Sequence, residues 1–68
     1  KQVFDGLTDR ELDVARLIAR GCTNRQIAEA LVLSERTVTT HIGNMLSKLG
    51  FHSRAQVARW AAEKGLVG

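Results

Sequence analysis

The stretch Thr23-Asn24-Arg25-Gln26-Ile27-Ala28-Glu29-Ala30-Leu31-Val32-Leu33-Ser34-Glu35-Arg36-Thr37-Val38-Thr39-Thr40-His41 decides the fold. It opens with Thr23 and Gln26, a hydroxyl and an amide three residues apart. In that spacing each side chain accepts from an orphan backbone N–H at a helix start. Ile27, Ala28 and Leu31 then recur on one helical face, and small Ala28 allows a close neighbour. Val32 and Leu33 alone separate this segment from Ser34, a second hydroxyl start, after which Val38 begins another apolar stripe. A connection this short does not reverse the chain into an antiparallel hairpin, and it fits two helices that cross steeply.

The same start signals recur on both sides. Thr8 pairs with Glu11 and Ser53 with Gln56 in box spacing, while Ser34 has Thr37 in place of the Glu or Gln. The residue before each start and the one four after it form staple pairs: Leu7 with Leu12, Cys22 with Ile27, Leu33 with Val38, and His52 with Val57. Gly21, Gly50 and Gly65 fall where helices should stop, since glycine enters the left-handed region without a Cβ penalty. The expected architecture is all-α, with four helices over about residues 8–20, 23–31, 34–49 and 53–64. The third is the most regular: Val38, Ile42, Met45, Leu46 and Leu49 form its apolar stripe, opposite Arg36, Thr39, Thr40, Gly43 and Ser47, with Asn44 alongside. In the first helix Leu12, Ala15, Ile18 and Ala19 point inward, with Val14 and Leu17 at the margins.

Sixty-eight residues suffice for one small domain, and the 44% hydrophobic content, with no Pro or Tyr, describes an aliphatic helical core. Residues 1–6 carry no helix signal and read as a linker remnant ahead of a domain over 7–68; Lys1 in place of Met suggests excision from a longer chain, although processing or tag removal leaves the same mark. The lone Cys22 and two distant histidines lack disulfide or metal-ligand spacing, so the expectation is no cofactor, no metal and a cytoplasmic setting. No apolar run suits a membrane span. A nucleophile-base pair and a Gly-rich phosphate loop are also missing, which argues against an enzyme.

The net charge of +3 is unevenly spread. Residues 1–13 set Lys1 and Arg10 against Asp5, Asp9, Glu11 and Asp13; residues 14–68 set eight Lys and Arg against Glu29, Glu35 and Glu63. A basic excess of this kind suits a polyanion, although a solvated basic face is equally common. Two crossing helices joined by a tight turn form a helix-turn-helix, whose second helix lies in the major groove while the first braces it across the backbone. Val32 stands where such turns often carry Gly, which argues against a left-handed backbone there.

Leu7-Thr8-x-Arg10-Glu11, Leu17-Ile18-Ala19-x-Gly21, Thr23-Asn24-Arg25-Gln26-Ile27-Ala28, Leu33-Ser34-x-x-Thr37-Val38-x-x-His41 and Lys48-Leu49-x-x-x-Ser53-Arg54 together resemble the LuxR-type helix-turn-helix domain, in order and without gaps over about residues 7–62. The resemblance implies a four-helix, C-terminal output unit of a bacterial transcription regulator that binds double-stranded DNA through the third helix and pairs protomers through the fourth. Two positions depart from that pattern: Thr39 stands where Lys is frequent, and Gly43 where a basic or bulky residue is frequent.

Arg36, Thr39, Thr40, Gly43 and Asn44 are therefore the candidate base-reading positions. The threonines suit a hydroxyl hydrogen bond or a methyl packed on thymine, against the alternative of a solvated face; for Arg36 the alternative is an ion pair with Glu35 or Glu29. Thr23, Asn24 and Arg25 at the start of the second helix, and Ser34 and Thr37 at the start of the third, are candidates for phosphate, although Thr23 and Ser34 are also explained as caps. His41 joins them, with a structural hydrogen bond as its alternative; so do Lys48 and Arg54, through the resemblance, with solvated charge as theirs. The fourth helix has two apolar faces, Val57, Trp60 and Ala61 on one and Ala55, Ala58 and Ala62 on the other. One should pack on the core and leave the second for a partner, and Ala55, Ala58, Arg59 and Ala62 are the candidates for a homodimer contact, small residues being also plain helix formers. RNA polymerase is a further candidate partner. The competing functions are a sigma-factor promoter-reading domain, separated by dimerisation on DNA, and a helical protein-interaction module, separated by salt-insensitive binding.

Overall fold

The computed structural model describes residues 6–66 and contains four helices: α1 (Asp9–Ala19), α2 (Asn24–Leu31), α3 (Glu35–Leu49) and α4 (Arg54–Glu63). The expected linker remnant lies, except for Gly6, outside the described residues, as do Val67 and Gly68. No strand occurs among the described residues, so the fold is all-α as the capping pattern predicts.

Each helix begins at the hydroxyl residue that the sequence nominates. Thr8 accepts from Glu11 N–H at 3.1 Å while Glu11 Oε1 accepts from Thr8 N–H at 2.9 Å. Thr23 and Gln26 repeat that exchange at 3.1 and 2.8 Å. Ser34 accepts from Thr37 N–H at 3.1 Å, and the two hydroxyls share a further bond at 2.9 Å, a cap without the reciprocal arm of the box. At α4 the reciprocal arm serves two donors: Gln56 Oε1 accepts from Ser53 N–H at 3.1 Å and His52 N–H at 2.6 Å.

The four helix ends share one device. Gly21, Val32, Gly50 and Gly65 all adopt positive φ, at 85°, 57°, 70° and 73°. The next residue then donates back to the carbonyl five positions earlier: Cys22 to Leu17 at 3.0 Å, Leu33 to Ala28 at 2.9 Å, Phe51 to Leu46 at 3.0 Å and Leu66 to Ala61 at 2.9 Å. This is the Schellman arrangement, whose following residue is typically apolar and folds onto the last turn. All four of those residues pack in or against the core. Turn closure and core burial are thus one event at every helix end.

Val32 overturns the expectation of an ordinary backbone in the turn. It is left-handed (φ 57°, ψ 50°) although it is β-branched, and its side chain is 90% exposed. The Leu33 bond to Ala28 and the burial of Leu33 against the core force the turn to close there whatever residue occupies position 32. The fold therefore carries strain at this position.

The core is made of Leu7, Leu12, Val14, Ala15, Ile18, Ile27, Ala28, Val38, Met45, Val57, Trp60, Ala61 and Leu66. Val14 is fully buried, not marginal as the periodicity suggested, because α1 packs on α4 as well as on α2 and α3 and so buries a wider arc. Ala19 is only half-buried, as are Ile42, Leu46 and Leu49 of the α3 stripe, whose centre is Val38 and Met45. His52 is exposed and makes no staple with Val57; Phe51, one residue earlier, supplies the apolar contact.

Val32→Gly is expected to stabilise the domain. A left-handed L-residue costs roughly 1–2 kcal/mol, and glycine returns about 0.4–1 kcal/mol through the freedom of the unfolded chain. A net gain of about 0.5–1 kcal/mol would raise Tm by roughly 2–8 °C, measurable by thermal unfolding. A lower Tm would show that the valine side chain holds the turn.

Candidate nucleic-acid interface

Burying Val38 and Met45 at 0% exposure fixes the roll of α3 and turns the opposite face outward. Arg36, Thr39, Thr40, Gly43 and Asn44 are all exposed there, and His41 is half-buried on the flank. Among the described residues the Arg36 guanidinium makes no ion pair; Glu29, one of the partners weighed for it, pairs instead with Arg25 at 3.8 Å. That pair is 79% and 69% exposed, a contact worth little in water and easily exchanged.

The two threonines are constrained in a way that periodicity does not reveal. Thr39 Oγ1 donates to Glu35 O at 2.9 Å and Thr40 Oγ1 to Arg36 O at 3.1 Å. Each hydroxyl proton is thus committed to the helix, and each χ1 is pinned. At Gly43 a Cβ would meet nothing within 4 Å, so the face is open there and the absent side chain is not required by packing.

The N-terminus of α2 flanks this face. Thr23 and Gln26 satisfy one another's backbone groups, and the first two N–H groups of the helix, on Asn24 and Arg25, have no intrahelical acceptor. Arg54, at the start of α4, reaches across to the same place. Its Nη1 donates to Asn24 Oδ1 at 2.6 Å and its Nη2 to the Cys22 carbonyl at 2.9 Å. A guanidinium only donates, so the Asn24 amide oxygen faces Arg54 and its two N–H donors are left over. Sequence reasoning placed Asn24 and Arg54 separately on the phosphate list; the structure couples them across 30 positions, which no local spacing signals.

Lys48 has a similar unforeseen partner. Its Nζ donates to Glu11 Oε1 at 2.8 Å, with the Lys48 side chain 38% exposed and that of Glu11 3% exposed. One carboxylate oxygen thereby caps α1 and ties it to the last turn of α3. Burial alone would push the Glu11 carboxyl up, but the bond from Lys48, the Thr8 N–H and the Lys48 charge outweigh it and hold the pKa below the usual glutamate value. The spacing of Thr8 and Glu11 marks the cap, but not the burial of Glu11 or its bond to Lys48.

Of the two apolar faces of α4, the one carrying Val57, Trp60 and Ala61 is buried. Ala55, Arg59 and Ala62 are exposed and Ala58 is half-buried against the core, while Arg59 pairs with Glu63 at 3.4 Å. Among the described residues no cluster of His, Cys, Asp and Glu has metal-holding geometry, and no helix is long and apolar enough to cross a membrane.

The family model for bacterial regulatory proteins of the luxR family matches residues 5–61. The chain is 58% identical over 51 residues to a nitrate/nitrite response regulator protein homolog of Haemophilus influenzae, covering 75% of this chain and 24% of that protein. It is 48% identical over 63 residues to the transcriptional regulatory protein LiaR of Bacillus subtilis, covering 93% and 30%. With the response regulator protein VraR of Staphylococcus aureus the figures are 38% over 66 residues, covering 97% and 32%. The chain spans about a quarter to a third of the length of these relatives.

Glu11→Gln keeps an acceptor for the Thr8 N–H and removes the charge. At neutral pH it should cost about 1.5–3 kcal/mol, the range for a bond to a charged group. Because the folded pKa is lowered, the carboxylate's contribution is complete above the unfolded glutamate value and disappears as pH falls through the folded one. Urea unfolding of both proteins should therefore converge at acid pH. A gap that persists there would assign the loss to packing.

Proposed function

The chain belongs to the luxR family of bacterial regulatory proteins, and from that premise we propose that it is a sequence-specific reader of double-stranded DNA, inserting α3 into the major groove as the output domain of a transcription regulator. Membership of a family of regulatory proteins favours this reading over a sigma-type promoter-reading domain or a protein-interaction module. The observation that carries the reading is the exposure of Arg36, Thr39, Thr40, Gly43 and Asn44 along a helix whose other side is anchored by the fully buried Val38 and Met45.

In this reading those five positions meet base edges. Thr23, Asn24, Arg25, Ser34, Thr37 and His41 border them and hold phosphates, using the free N–H groups and partial positive charge of two helix starts. Asn24 is the best prepared, because Arg54 takes its oxygen and leaves its donors for an anion. Lys48 and Arg54 act first by bracing the reading face and reach phosphate only with the donors their internal bonds leave over. The exposed α4 positions Ala55, Ala58, Arg59 and Ala62 pair two protomers on adjacent half-sites, about one helical turn of DNA apart. The domain extends over residues 7–68, preceded by a linker, within a longer regulator.

Retention of duplexes from a random pool, followed by fluorescence anisotropy against salt, tests the reading. Log affinity should fall with log salt by about 0.9 per phosphate contact. Arg25→Ala should weaken all duplexes alike and lower that slope by about 1. Thr40→Ala should instead cost roughly 1 kcal/mol at one base position. Failure to retain any duplex at low salt would overturn the proposal.

A further inference from the structure

We infer that the α3 face reads thymine methyl groups, through the γ-methyls of Thr39 and Thr40 above the opening at Gly43. The inference rests on the DNA-reading assignment and specifies what that face recognises.

The argument starts from the hydroxyls. A free threonine offers one donor, two lone pairs and a methyl to a base edge. Here both donors are spent on main-chain carbonyls one turn back, Thr39 on Glu35 and Thr40 on Arg36. That bond draws each oxygen along the helix surface toward its own N-terminus and fixes χ1, so the γ-methyl has one set direction. Donation to N7, O6 or O4 would cost a bond already made. What the pair presents without rearrangement is methyl groups and the remaining lone pairs.

Gly43 follows Thr39 by four residues and Thr40 by three, which places it next to both on the helix surface. A Cβ there would meet nothing, so no internal packing calls for glycine, and mid-helix glycine costs about 1 kcal/mol relative to alanine. The vacancy lets a base edge approach the helix backbone directly beside the two methyls. In the major groove the T methyl is the apolar group that projects from a base edge, and contact with a threonine methyl is a recognised pairing. Arg36 and Asn44, a turn before and after Thr40, supply the donors that the band between them lacks.

The test uses duplexes retained by the chain from a random pool, resynthesised with deoxyuridine replacing each thymidine in turn. This removes one methyl and leaves every phosphate and hydrogen-bonding group unchanged. One or two positions should each weaken binding about fourfold, the transfer value of one buried methyl. The effect should disappear in Thr39→Ser or Thr40→Ser, which keep the hydroxyl, and persist in Thr39→Val or Thr40→Val, which keep the methyl. Duplexes that bind equally well with deoxyuridine throughout, or a methyl effect that survives both serine substitutions together, would overturn the inference while leaving DNA reading intact. A chain that retains no duplex would overturn both.

Discussion

The roll of α3 about its own axis is the constraint on which the structure depends. Val38 and Met45 are spaced by seven residues, two helical turns, and both are completely buried. Rotating α3 to expose another face would bring them into water, at roughly 1.5–3 kcal/mol for each large side chain. A 68-residue domain has little stability in reserve against such a loss. The hydrophilic face is therefore positioned by the greasy one, and its residues need no rigid contacts of their own to be presented reliably.

Two polar links then set the surroundings of that face. The Glu11–Lys48 pair fixes the end of α3 to the start of α1, and Arg54 fixes the start of α4 to the start of α2. Both employ cations that composition alone assigns to the nucleic acid. Part of the positive charge is thus consumed in holding α3 and the α2 N-terminus in register. The turn between α2 and α3 contributes in a different way. It closes with Leu33 packed against the core and bonded back to Ala28, and the left-handed backbone at Val32 accompanies that closure.

Local rules made most of the fold legible. Helix starts follow from hydroxyl and amide spacing, three of the four stops from glycine, and the centre of the core from helical period. What escaped was set by non-local geometry. Val14 is buried because α4 covers a side of α1 that a single-face pattern treats as marginal, and the left-handed Val32 reflects tertiary closure overriding residue preference. The staple spacing points to His52, but Phe51, the residue after the left-handed Gly50, is the one that folds back on α3. The candidate site was legible as a list of exposed positions; the internal partners of Asn24, Arg54 and Lys48, and the committed hydroxyls of Thr39 and Thr40, are matters of distance that spacing does not carry.

The most direct measurement of whether the buried stripe aims the opposite face at DNA is amide chemical-shift mapping of the labelled chain titrated with a retained duplex. The largest changes should fall on Arg36, Thr39, Thr40, Gly43 and Asn44 and on the first turn of α2, with the buried positions Val38 and Met45 moving little. Changes concentrated on the outer surface of α1, with residues 36–44 unaffected, would contradict the account.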